Sequence, residues 1–316
     1  VTPYVHKPVL LREVLEALRP RPGGRYVDGT VGGGGHAAAI LAASAPDGWL
    51  FGCDRDAAAL AAARERLAEF AGRFELRQGN FADLTEWIPP GSCDGVLLDL
   101  GVSSAQLDSP ERGFSFQHEG PLDMRMDARQ PQTAAELVNT WSPDALARLF
   151  VEYGEVPRGL AWRVARRIAS ERARRPGGLQ TTRELAALIE RESPRAGRRT
   201  HPATRFFQAL RLAVNDEPGS LKRGLEAAWA VLRPGGRLAV ICFHSLEARL
   251  VKAFGRSRTQ GCGFPGGTEA GSSGVPRPPD AVWVTRKAIR PGAAEVAENP
   301  RSRSAQLRVL EKIETR

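Results

Sequence analysis

The chain has 316 residues, a net charge of +9 and a pI near 10.0. That length holds a full core and one large domain with an insert, and 42% hydrophobic content is ordinary for a globular protein. No apolar run reaches the length of a membrane span and no signal-peptide pattern is present, so membrane-embedded and secreted classes are set aside and a cytoplasmic location is expected. The charge favours a polyanionic partner such as nucleic acid. The competing account is compositional, because only five of the 45 basic residues are Lys. The four cysteines, Cys53, Cys93, Cys242 and Cys262, show no Cys-x-x-Cys pairing and read as reduced, with no zinc site.

Taken in order, the chain begins with a helix that carries Pro8 in its first turn and ends near Pro20. His6 lies near that start, as a ligand contact or a solvated neighbour of the helix cap. Strand and helix then alternate. Strands are expected near 25–28, 49–53, 73–77 and 94–100, with helices over 36–45, 56–70 and 82–88 between them. Asp94-Gly95-Val96-Leu97-Leu98-Asp99-Leu100 is nearly all apolar, the mark of a strand buried on both faces of a parallel sheet. Helices without intervening strands follow at 143–153, 158–175 and 181–193, so 109–202 reads as an inserted helical domain. The sheet domain is then 1–108 with 203–316. It resumes with a helix over 203–216 and a strand over 237–243, and closes on a hairpin-like pair near 282–286 and 305–311. Residues 255–280, rich in Gly, Ser, Pro and Arg, read as a mobile loop.

The chemistry gathers around Asp28-Gly29-Thr30-Val31-Gly32-Gly33-Gly34-Gly35-His36, a glycine turn between strand and helix. Such a turn lets a ligand approach the backbone. The spacing Asp28-x-x-x-Gly32-x-Gly34 looks more like an S-adenosylmethionine turn than a dinucleotide turn; a bare structural turn is the other account. Asp54, after the second strand, is placed to accept from both ribose hydroxyls of an adenosine. Asp28, Asp54, Asn80-Phe81 and Asp99 all fall at C-terminal strand ends, where ligands of open α/β sheets bind. Segment 158–199 carries twelve Arg against four Glu. Arg166, Arg167, Arg174 and Arg175 are candidates for an RNA backbone clamp, with a solvated helix face as the alternative.

Nine motifs in order then carry a resemblance. They are His6-x-Pro8-Val9-Leu10-Leu11, the Asp28–His36 turn, Asp54-Arg55-Asp56, the run from Asp99 through Gln106 to Asp108, and Arg112-Gly113-Phe114-Ser115-Phe116. The rest are Pro121 to Asp127, His201-Pro202-Ala203-Thr204-Arg205 with Phe207 to Arg211, Phe243-His244-Ser245-Leu246-Glu247, and Asn299 to Ala305. Over nearly its whole length the chain resembles the bacterial MraW/RsmH family of methyltransferases. The resemblance implies an α/β class I (Rossmann-like) methyltransferase with a seven-stranded sheet, order 3-2-1-4-5-7-6, and an inserted α-helical domain. It implies S-adenosylmethionine as methyl donor and the exocyclic N4 of one cytidine in the decoding region of 16S rRNA as acceptor, with the small ribosomal subunit as setting. Carried over by position, the donor site is Gly32, Gly33, Gly34, Gly35, His36, Asp54, Phe81, Asp99 and Gln106. Asp99 either orients the donor or faces the N4 amine. The Asp/Asn/Ser-Pro-Pro-Tyr element common in amino-methylating enzymes is absent, and no DNA substrate is expected. His244 and Ser245 are candidates for cytidine contact, with Asn299 behind them; no metal is expected. Asp216-Glu217-Pro218 stands where the family more often has a polar residue, Glu and Leu.

Overall fold

The computed structural model describes residues 8–193, 201–261 and 278–314. His6 and Cys262 lie outside them. The chain divides into two compact units, Val1–Gly101 with Pro218–Arg316, and Val102–Glu217.

The first unit opens with α1 (Leu11–Leu18), β1 (Arg25–Asp28), α2 (Gly35–Ala43), β2 (Trp49–Asp54), α3 (Ala57–Arg66), β3 (Phe74–Gln78) and β4 (Cys93–Asp99). The second holds α4 (Ser104–Asp108), α5 (Ala134–Thr140), α6 (Pro143–Glu152), α7 (Arg158–Ala173), α8 (Thr182–Glu192) and α9 (Thr204–Val214). The chain returns with α10 (Glu217–Val231), β5 (Leu232–Cys242), α11 (Ser245–Gln260), β6 (Ala281–Trp283), α12 (Ala293–Glu298) and β7 (Gln306–Lys312). The seven strands form one sheet, ordered β3-β2-β1-β4-β5-β7-β6. β1 to β5 run parallel, and β7 is antiparallel to both its neighbours. Among the described residues no helix is long and apolar enough to cross a membrane.

Side chains alternate across a strand, so a sheet covered on both faces needs apolar residues in succession. In β4, Val96 and Leu98 enter one core while Leu97 enters the other. In β5, Leu238 and Val240 join the first core, Ala239 and Ile241 the second.

The structure moves several expected boundaries. The helical unit spans 102–217 rather than 109–202. Helix α9 belongs to it because Phe206, Phe207, Ala209 and Leu210 fill the helical core. Helix α1 starts at Leu11, not at Pro8, because Leu10 is left-handed (φ 54°) and its N–H donates to Glu295 Oε1 at 2.8 Å. Helix α11 continues through Gln260, into the stretch expected to be loop. Phe254 is buried there, and the Arg258 guanidinium pairs with Glu226 and Asp280. Between Asp216 and Pro218, Glu217 takes both ends of the Arg211 guanidinium at 2.8 and 3.0 Å.

Asn215 explains the motif Pro121 to Asp127. Met124 is held at φ 64°. The fully buried Asn215 amide donates to Met124 O at 2.8 Å, and its Oδ1 accepts from Met126 N at 2.8 Å. Asn215→Leu strands a buried N–H and a buried C=O, at about 1–3 kcal/mol each. Thermal unfolding of that variant is expected to show a loss of about 2–6 kcal/mol.

Candidate active site

Three strands of the first unit end on carboxylates. Asp28 of β1 sits opposite Gly52 on one side and Leu97 on the other. Asp54 and Asp99 therefore each lie two residues further along their strands, at one edge of the sheet.

Asp54 laces the turn to β2. Its Oδ2 accepts from Gly32 N and its Oδ1 from Asp56 N, both at 2.9 Å. Four lone-pair sites exceed its three backbone donors, Asp56, Gly32 and Arg55, so one remains for a ligand hydroxyl. Burial raises this carboxyl above the usual range, against those donors. Asp28 Oδ1 accepts from Thr30 N at 3.1 Å, while Oδ2 is buried with no hydrogen-bond partner. Burial pushes its pKa to about 7; the Thr30 donor opposes that and the Asp54 charge adds to it. Asp99 donates its N–H to Thr30 Oγ1 at 2.7 Å. Its Oδ1 is also buried without a partner. Burial, then the charges of Asp28 and Glu247, lift its carboxyl well above the ordinary range.

His36 joins this acid to the start of the chain. Its Nε2 is 2.9 Å from Val9 O, and a carbonyl only accepts, so that nitrogen carries the proton. A neutral ring then turns unprotonated Nδ1 toward Asp99 Oδ2, 3.6 Å away. That approach is favourable when either partner is protonated. Pro8 lies so close to Gly35 that a side chain there would overlap it.

The glycines divide by role. Gly34 is left-handed (φ 78°), and a Cβ on it would sit 3.2 Å from Ala63 Cα of α3. It permits helix packing. Gly33 is exposed, and a Cβ there would meet nothing within 4 Å. It borders open space. Phe81 begins the 3₁₀ turn Phe81–Glu86. It is half-buried, and a side chain on Gly224 would overlap its ring.

His244 is occupied by its own helix. It caps α11 by accepting from Glu247 N at Nδ1 (3.4 Å). Its Nε2 lies 3.0 Å from Glu247 Oε1 without hydrogen-bond alignment. Ser245 is exposed in the first turn of α11. Asn299 is half-buried beyond α12, its carbonyl taking the Ser302 N–H and hydroxyl at 3.0 and 2.8 Å. Gln106 lies in the helical unit, buried, and closes a capping box with Ser103.

The four arginines separate in the same way. Arg166 is exposed and stacks on Trp162 at 5.5 Å, and Arg174 is exposed at the end of α7. Arg167 pairs with Glu171 and Glu192 at 3.6 and 3.9 Å. Arg175 pairs with Glu171 and Glu184, both at 3.0 Å. These two tie α7 to α8. Three groups escaped the sequence reading. Glu247 Oε2 pins the turn by accepting from Phe243 N at 2.7 Å; its place three residues after a cap was a readable signal. Thr30 holds Asp99, and Ser220 takes Arg55 and Asn80 at 2.6 and 2.9 Å. Nothing in their sequence surroundings marks these hydroxyls.

The MraW methylase family matches residues 3–313. The chain belongs to the MraW methylase family. Among MraW methylase relatives, "Ribosomal RNA small subunit methyltransferase H" of Syntrophotalea carbinolica is 52% identical, covering 98% of each chain. The protein of that name from Geobacter sulfurreducens is 53% identical, over 98% of this chain and 99% of its own. A solved structure titled as a putative rRNA-methylase from Clostridium thermocellum is a distant likeness: 13% identity, TM-score 0.45, covering 98% of this chain and 100% of that one.

The methyl donor that this family implies fits the crevice. Two buried carboxylate oxygens there lack donors, Asp54 has a spare lone-pair site, and the backbone at Gly33 is open. That suits a cationic ligand carrying hydroxyls. Gly33→Val is expected to lower affinity for S-adenosylmethionine tenfold or more, about 1.4 kcal/mol, with an unchanged melting temperature. Gly34→Val is expected instead to lower the melting temperature, from left-handed strain of about 1–2 kcal/mol and the clash with α3. Calorimetric titration beside thermal melts reads both.

Proposed function

We propose that this protein transfers a methyl group from S-adenosylmethionine to the exocyclic N4 of a cytidine in the decoding region of 16S rRNA, within the small ribosomal subunit and in the cytoplasm. The observation that carries this reading is the acceptor-rich crevice, in a chain related end to end to proteins named for ribosomal RNA small-subunit methylation. When bound, S-adenosylmethionine supplies an already activated sulfonium methyl group. The protein's task is then positioning and charge.

Asp54 takes the ribose hydroxyls, Phe81 borders the adenine, and Gly33 lets the donor approach the backbone. Asp28 and Asp99 supply negative potential beside the sulfonium. Cytosine N4 is a weak nucleophile because its lone pair is delocalised into the ring, and the base must leave its stack to enter the crevice. Asp99 is assigned to the donor. Ser245 and Asn299 are assigned to the nucleotide side; His244, absorbed by its helix cap, shapes the turn that presents Ser245.

Tritiated methyl transfer to naked DNA, naked 16S RNA and small subunits, with nucleoside mass spectrometry of the product, tests the reading. N4-methylcytidine in 16S RNA is expected, and its absence refutes the proposal. In the same assay Asp99→Asn is expected to abolish turnover. It is also expected to weaken donor binding roughly ten- to a hundredfold, the 1.5–3 kcal/mol of a charged hydrogen bond. Normal donor binding without turnover moves Asp99 to the N4 amine.

The helical unit is proposed as the substrate-recognition part, its exposed arginines gripping RNA phosphates. Arg158, Arg166 and Arg174, all exposed, are the ones changed to Gln in this test. Each phosphate no longer held is expected to flatten the slope of log affinity against log salt by about 0.7–0.9. Arg167→Gln with Arg175→Gln is expected to lower the melting temperature instead. Equal slopes for both sets remove the exposed set from the RNA surface.

A further inference from the structure

The connection between β6 and β7, residues 284–305, is charged and oddly placed. It carries five cations, Arg286, Lys287, Arg290, Arg301 and Arg303, against Glu295 and Glu298. Glu295 is engaged by the Leu10 N–H. All five cations are exposed. Among the described residues, Arg286, Lys287, Arg290 and Arg303 show no ion pair. By contrast, the basic groups Arg258 and Arg237 of the same unit are paired with acids.

Register places this segment at the crevice. Asp99 lies opposite Ile241 of β5, Ile241 opposite Leu307 of β7, and Leu307 opposite Ile289. One row of the sheet therefore runs from the buried acid to the residue beside Arg290. Three strand spacings of about 4.8 Å make that distance roughly 14 Å. The row is firmly held: Ile289 and Leu307 exchange two backbone hydrogen bonds, each 2.9 Å. The cations stand on an ordered edge, in the same compact unit as the acids.

We infer that residues 286–303 form a second phosphate-binding surface, which grips the RNA backbone beside the base delivered to Asp99. The inference rests on the proposed RNA substrate and deepens it. The crevice presents carboxyl groups, which give a polyanion no hold. A cationic rim at this distance supplies one and sets register without reading sequence. The partner is a single-stranded RNA backbone. An acidic ribosomal protein surface is the competing occupant.

The test changes Arg286, Lys287 and Arg290 together to Gln and measures binding to protein-free 16S rRNA transcript and to small subunits across a salt series. Binding of S-adenosylmethionine and melting temperature are measured in parallel. The expected result is weaker binding to the naked transcript, a slope flatter by about 0.7 for each phosphate no longer held, and unchanged donor affinity and melting. An unchanged slope on naked RNA overturns the inference, and so does a loss confined to small subunits, which assigns the surface to a protein. Weakened donor affinity overturns it too, since the segment would then support the crevice. Charge restoration with Lys at all three positions is expected to recover the slope. A wild-type protein that methylates neither substrate defeats the functional reading itself. A wild type that methylates, with an unchanged slope in the variant, defeats only the surface.

Discussion

The Asp54 carboxylate holds the glycine turn to the sheet, and the donor crevice depends on that bond. One oxygen secures Gly32, the other the entry to α3. Without it, four glycines in succession have too much backbone freedom to keep a fixed shape. In the function proposed above, the same carboxylate also takes a ligand hydroxyl. Ligand and turn thus share one group, and binding reinforces the geometry that permits it. The neighbouring acids Asp28 and Asp99 are left with unpartnered oxygens in a buried place, an arrangement costly in the free protein and relieved by donors from outside.

The division of arginines in the helical unit shows why charge counts alone mislead. Segment 158–199 is strongly basic, yet Arg167 and Arg175 spend their charge on Glu171, Glu184 and Glu192. Pairs this exposed contribute modestly to stability, about 0–1 kcal/mol each, but they fix α7 against α8. The exposed remainder is the part that a polyanion meets. A face of a helix, not a stretch of sequence, decides which side chains are available.

Much of the fold was legible. The strands were legible as apolar runs, and their order came from the resemblance alone. The acids at strand ends were legible because the strand ends were. What stayed hidden was tertiary. Nothing local predicts that Leu10 turns left-handed, since its reason is Glu295 at the other end of the chain. The unit boundary fell after α9 because the apolar face of that helix meets the helical core, a choice of partner that periodicity does not encode. Gly33 and Gly34 look alike in sequence, and only the position of Ala63 tells them apart. That His244 caps α11 stayed hidden because a histidine cap is an uncommon use of the residue.

The bond between Leu10 and Glu295 has a consequence for how the protein comes into being. The residues just ahead of α1 are fastened by Glu295, 285 residues further along the chain. Strand β7, which covers the free edge of β5, also arrives late. A chain made only as far as β5 therefore has one bare sheet edge and a Leu10 N–H still without Glu295. Such an edge is a template for wrong pairing.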